Sequence, residues 1–130
     1  QGSGKILNVA SIAAFQPGPG MAVYCASKSY VLSLSRAMSS ELKGTGVSVT
    51  ALCPGYVQTG FQEVSGMNLT GVELWSAMRV DRVAKIAVRA MLNGRREVIP
   101  GFVNWGVPLL GRVLPIRLQL MIVKTMLMLR

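Results

Sequence analysis

The sequence predicts an α/β fold built on a parallel sheet. Three observations carry that reading. Short β-rich runs alternate with longer stretches of helical periodicity, in the order strand, helix, strand, helix, strand. The two clearest runs, Lys5–Ala10 and Val47–Cys53, are mostly apolar rather than alternating, as strands covered on both faces are. The joints between strands and helices are short, so strands of like direction must be linked by crossover helices.

Lys5–Ala10 is the first buried strand. Residues 12–20 contain Pro17, Gly18, Pro19 and Gly20 and form a loop. From about Met21 to Leu42 apolar and small residues recur at helical spacing (Ala22, Ala26, Tyr30, Leu34, Ala37, Met38, Leu42), and no Pro or Gly interrupts them. Gly44 and Gly46 end that helix. Val47–Cys53 is the second strand, closed by Pro54-Gly55. Residues 56–80 read as a long loop with one short helix near 71–78, and a loop of that length in a compact domain is often functional. Asp81 reads as an N-cap. Val83, Ile86, Ala87, Ala90 and Met91 then mark one helix face, and Gly94 closes it. Glu97–Pro100 is a third, short strand.

Residues 102–130 differ from the rest. Their only charges are Arg112, Arg117, Lys124 and Arg130. A membrane span needs roughly 20 predominantly apolar residues. The charges, with Pro108 and Pro115 as breaks, predict two short helices instead. They could cap a subunit, cover a cleft or rest on a membrane surface. The chain therefore divides into 1–101 and a basic, apolar helical extension at 102–130.

Hydrophobic residues make up 51% of the chain and charged residues 15%, which excludes a disordered polymer. Cys25 and Cys53 lie in apolar surroundings and are expected to be buried free thiols in a reducing, cytoplasmic compartment. With no His and only two Cys, no zinc site is expected. The net charge of +9 is uneven. Residues 79–130 hold ten Lys/Arg against two Asp/Glu, a balance of +8, and residues 1–78 carry the remaining +1. Such a half can attract nucleic acid, an anionic membrane or an anionic substrate, or can simply be a solvated face. No dense basic run with interleaved aromatics is present, so a nucleic-acid partner is not expected.

The chemistry centres on three residues. Ser11 follows the first strand directly, and ligands of parallel α/β sheets bind beyond the strand carboxyl ends. Tyr24 lies thirteen positions on, at the start of the long helix, and Lys28 four further, one turn along the same face. A free phenol titrates near pH 10, too high for proton exchange at neutrality. A neighbouring ammonium and a helix N-terminus both favour the phenolate. A phenol so placed can pass a proton to a carbonyl oxygen, and a nearby serine hydroxyl can hold that oxygen in line. Tyr-x-x-x-Lys alone is a weak signal. The strand-end serine and the fixed gap strengthen it.

The strings Asn8-Val-Ala-Ser11, Tyr24-Cys-Ala-Ser-Lys28 and Pro54-Gly55-Tyr-Val-Gln-Thr59, in this order and spacing, resemble the short-chain dehydrogenase/reductase family over residues 4–100. The stretch from Gly44 to Gly55 is similar to bacterial reductases related to long-chain 3-ketoacyl and hydroxysteroid dehydrogenases. The resemblance implies the C-terminal half of a Rossmann-like, doubly wound parallel sheet. It implies NADP or NAD as cofactor and a small-molecule carbonyl or alcohol as substrate. Tyr24 would be the general acid/base, Lys28 its partner and a ribose ligand, and Ser11 the residue that orients the substrate oxygen. Pro54 and Gly55 would seat the nicotinamide, with the Val57 backbone and the Thr59 hydroxyl near its carboxamide and phosphates. Asn8 is expected to make a structural hydrogen bond. Residues 60–80 fall at the variable substrate loop, where Phe61, Met67, Leu74, Trp75 and Met78 either line an apolar pocket or belong to the core. The family pairs subunits through the Tyr–Lys helix, which implies a homo-oligomer.

The family's glycine-rich phosphate loop is not in these residues. Gly18-Pro-Gly20 does not follow a strand and open a helix as such a loop must. The chain opens at Gln1 a few residues before a strand, so it is expected to be a piece of a longer protein, to expose a sheet edge, and to show no NAD(P)H-dependent reduction by itself. The alternative is an inactive module for dimerisation, partner binding or membrane-surface contact through 102–130.

Overall fold

A computed structural model describes residues 2–60, 71 and 75–128. Its strands are β1 (Gly4–Val9), β2 (Val47–Leu52), β3 (Val57–Gln58), β4 (Met78–Arg79) and β5 (Glu97–Val98). Its helices are α1 (Ala22–Glu41), α2 (Val80–Leu92), α3 (Gly106–Val113) and α4 (Ile116–Met128), with 3₁₀ turns at Ile12–Phe15 and Val103–Trp105.

The main sheet has the order β1-β2-β5, all parallel. The register pairs Gly4 with Val47 through Val9 with Leu52, and Ala51 and Leu52 also pair with Glu97 and Val98. Successive strand residues face opposite ways, and the core divides accordingly. Ala51 packs with Ala10, Leu32, Cys53 and Ile99 beside α1, whereas Leu52 packs with Val98 and with Val83, Ala87 and Ala90 of α2. Helices thus cover both faces, which is the doubly wound arrangement that the sequence implies.

Several expectations need correction. β1 is not a buried strand: none of its residues is fully buried, because it is the edge of the sheet among the described residues. The buried face of α1 is Cys25, Leu32 and Ser35, while Ala22, Ala26, Tyr30, Leu34 and Ala37 are exposed. Asp81 is not the N-cap of α2. Arg79 holds that position without a side-chain cap, and Asp81 lies in the first turn, ion-paired to Arg79 at 3.1 Å. A carboxylate there still opposes the positive end of the helix dipole.

Residues 56–80 are not all loop. β3 and β4 pair in parallel and clamp the ends of this stretch, helped by Met78 N–H donating to the Tyr56 carbonyl at 2.9 Å. Residues 72–74 of the expected helix at 71–78, together with Phe61 and Met67, lie outside the described residues. Trp75 is exposed, and Met78 packs against the α2 core. Pro108 does not break the tail. It sits in the first turn of α3, where its missing N–H has no helical partner to lose. The break falls at Leu114, extended at ψ 138° ahead of Pro115, whose carbonyl accepts from Leu118 and Gln119 at the start of α4.

α2 ends as the sequence suggests. Gly94 N–H donates to Met91 O and Arg95 N–H to Ala90 O, both at 3.0 Å, with Gly94 at φ +64°. This pair of bonds satisfies the last carbonyls and needs the left-handed residue that glycine supplies.

Candidate active site

The carboxyl ends of β1 and β2 lie side by side, and each runs into one part of the site. After Val9 the chain continues as Ala10 and Ser11; after Leu52 it continues as Cys53, Pro54 and Gly55. Ala10 N–H donates to Leu52 O at 2.8 Å, and Ile12 N–H donates to Pro54 O at 3.0 Å. The sheet ladder is therefore extended past the strands, and it ties the Ser11 turn to the Pro54–Gly55 turn.

Ser11 is extended (φ −170°, ψ 161°) and buried, and it starts the turn at Ile12–Phe15. Its Oγ accepts the Ala13 N–H at 3.1 Å. A hydroxyl that accepts in this way keeps its own O–H free to donate. The next element is α1, with Tyr24 its third residue. Gly18, in the loop before it, packs so closely on Cys25 that an added Cβ would collide with the thiol. That approach brings the loop against the turn carrying Tyr24.

Lys28 lies one turn on. Its Nζ is 5.8 Å from the Tyr24 ring centroid and donates to the Val9 carbonyl at 3.1 Å. Among the described residues the ammonium thus uses one of its three donors. Ser29 reinforces the docking, its hydroxyl donating to Ala14 O at 2.8 Å. Lower on the helix, Asn8 Nδ2 donates to Ser35 Oγ at 3.0 Å, and Ser35 donates to Val31 O at 2.6 Å. Asn8 therefore makes the structural bond expected of it.

The structure brings Ser11, Tyr24, Lys28, Pro54 and Gly55 to one edge of the sheet. Val57 and Thr59 lie beyond it. The Val57 side chain joins the α2 core while its residue pairs with Met78, and Thr59 is exposed. Burial pushes Cys25 up, and Cys53 rises to about 12, chiefly by burial and then by the Glu97 carboxylate, against the pull of Arg36.

One site residue is not foreseen from the sequence. Asn104, in the turn before α3, is buried and donates Nδ2–H to Pro100 O at 2.6 Å. Its side chain fills the space beside Gly55, where a Cβ would meet it at 2.4–2.6 Å or leave it no room. The only signal available was an asparagine among apolar residues just after a strand.

A doubly wound parallel sheet, with its polar cluster beyond the strand carboxyl ends, belongs to the class of α/β folds that bind ligands at that edge. Residues 1–70 match the family model described as short chain dehydrogenase. The chain is 40% identical over 103 residues to ketoacyl reductase HetN of Nostoc sp., covering 76% of this chain and 34% of that protein. It is 30% identical over 106 residues to 17-beta-hydroxysteroid dehydrogenase 13 of Rattus norvegicus, covering 78% and 34%. Among solved structures, a short-chain dehydrogenase from Sphingobium yanoikuyae in complex with NADPH is 30% identical with a TM-score of 0.69, over 85% of this chain and 44% of that one. The chain belongs to the short-chain dehydrogenase family. It spans about a third of the length of the curated relatives it matches.

Proposed function

We propose that the protein is an NAD(P)-dependent oxidoreductase that interconverts a carbonyl compound and a secondary alcohol. One observation carries this reading. Two hydrogen bonds, Lys28 Nζ to Val9 O and Ile12 N–H to Pro54 O, tie the Tyr24–Lys28 turn, the Ser11 turn and the Pro54–Gly55 turn together at one sheet edge. Tyr24 is the general acid/base, giving its phenolic proton to the substrate oxygen in reduction and taking one in oxidation. Ser11 donates its hydroxyl to the same oxygen and orients it. Lys28 stabilises the negative charge left on the phenol oxygen. Its two remaining N–H donors suit ribose hydroxyls.

The residues present fit a nicotinamide. Pro54 and Gly55, the turn beyond the central strand, would seat its ring, and the Val57 backbone and the exposed Thr59 hydroxyl would serve its carboxamide and phosphate side. When bound, the nicotinamide supplies or takes up the hydride. The Sphingobium relative holds NADPH, and either NADP or NAD suits these residues. Relatives named as a ketoacyl reductase and a hydroxysteroid dehydrogenase support a bulky apolar substrate, acyl or steroid-like. Two buried free thiols suit a reducing cytoplasm.

The assay is NADPH oxidation with a 3-ketoacyl thioester or a steroid-like ketone, using the enzyme completed by an amino-terminal half of the family. Tyr24→Phe should lower kcat by about 10²–10⁴-fold while NADPH still binds. An unchanged kcat would exclude the reading. The chain alone should turn over neither substrate.

A second reading rests on α1, whose Val23, Tyr30 and Leu34 are exposed. We infer that a second copy covers this apolar stripe. Sedimentation at rising concentration should show dimers that Tyr30→Asp with Leu34→Asp abolishes. A monomer throughout would contradict it.

A further inference from the structure

We propose that the outer face of residues 102–128 docks on an anionic lipid surface. The inner face of this segment is anchored. Asn104 is held at Pro100 and Gly55, Pro108 is buried, Gly111 packs on the Phe15 carbonyl, and Val123 is buried. Gln119 Nε2 donates to Gly111 O at 3.0 Å and to Leu114 O at 2.7 Å, and so fixes the joint between α3 and α4.

The outer face is apolar and cationic. Backbone angles are already helical at Phe102, Trp105 and Gly106, so Phe102, Trp105, Leu109 and Val113 stack on one stripe at spacings of three, four and four. Phe102 is 93% exposed and Val113 71%. Arg112 flanks that stripe. On α4, Arg117, Leu120, Met121 and Lys124 share a second face at i, i+3, i+4 and i+7, and all four are exposed. The segment contains no Asp or Glu.

Charge selects the occupant. A second copy would set Arg112, Arg117 and Lys124 against the same three cations with no acid to meet them. An anionic bilayer meets the cations with its headgroups and takes the Trp, Phe, Leu and Val side chains just beneath, which is how interfacial helices bind. No helix among the described residues is long and apolar enough to cross a membrane, so the segment lies in the interface plane.

The test uses the 130-residue chain with Trp75→Phe, which leaves Trp105 as the one tryptophan. The chain should float with vesicles of phosphatidylcholine and phosphatidylglycerol at low salt and be released at high salt. It should stay behind with phosphatidylcholine alone. Trp105 emission should shift to the blue and be quenched by brominated acyl chains. Replacing Arg112, Arg117 and Lys124 by Gln should cut partitioning about a hundredfold, since each cation near an anionic surface contributes about fivefold. The quenching reads docking without altering any charge, so it stands even if that variant misfolds. The completed enzyme should keep the binding. Failure to float, flotation with Trp105 still in water, binding that survives loss of all three charges in a folded variant, or self-association that buries Trp105 without lipid would each overturn the proposal.

Discussion

β1 and β2 are each six residues long, rich in apolar side chains and paired residue for residue, yet the fold treats them differently. Thr50 and Ala51 of β2 are 0% exposed, whereas Val9 of β1, paired with the buried Leu52, is 53% exposed. Composition does not explain the contrast; neighbours do. β2 has β1 on one side, β5 on the other and a helix over each face. β1 has β2 alone, and among the described residues nothing pairs with its outer edge. The site straddles the two strands. Its Pro54–Gly55 side stands on the rigid centre and its Ser11 side on the edge, and Lys28 reaches back to Val9 to hold that edge in place.

Substitutions can sharpen or break this contrast. The largest difference should come from a buried charge. Ala51→Asp leaves a carboxylate unpaired in the centre of the sheet and should cost at least about 4 kcal/mol, enough to unfold the chain. Val9→Asp should cost about 1 kcal/mol or less, as at other surface positions. Chemical denaturation of the two variants compares them directly, and equal losses would remove the distinction. Next, Gly55→Ala should displace the Asn104 side chain and strand its buried amide, at about 1–3 kcal/mol by thermal melting.

The pH dependence follows from Cys53. Its thiol is held at about 12 in the fold, above an ordinary value of 9.0. The folded chain therefore keeps a proton that the unfolded chain loses. The resulting stability is complete below about pH 9 and falls as pH rises towards 12, by about 1.4 kcal/mol per pH unit at most. Denaturation of the parent and Cys53→Ala across that window should show a difference that narrows with pH. A constant difference would contradict it. The smallest effect belongs to the half-exposed Arg36–Glu97 pair, 2.8 Å apart. Glu97→Gln should cost roughly 1 kcal/mol or less, and it should also let the Cys53 thiol titrate lower, as read by alkylation rate.

The parts legible in the sequence are those set by local chemistry. The Ser11–Tyr24–Lys28 spacing depends only on a strand end, a Gly/Pro loop and one helical turn. β2 was readable from a β-rich run bounded by Gly46 and Pro54, and the α2 face because its apolar pattern is also its buried pattern. α1 was not, because Ala and Ser populate every side of it. The buried side is fixed by Cys25 against Gly18 and by Ser35 satisfying Asn8, contacts that a periodicity cannot rank. The exposure of β1 depends on which strands flank it. Asn104 depends on Gly55 and Gly101 both leaving space for one side chain, a relation between residues far apart in sequence.

The central claim is that Tyr24 moves the proton at a site assembled by Lys28 and Ser11. The most direct test is the single-turnover rate of NADPH oxidation by the completed enzyme and its Tyr24→Phe variant, at saturating cofactor. The account predicts a fall of about 10²–10⁴-fold with NADPH affinity unchanged. A variant that retains the parent rate would show that the proton comes from elsewhere.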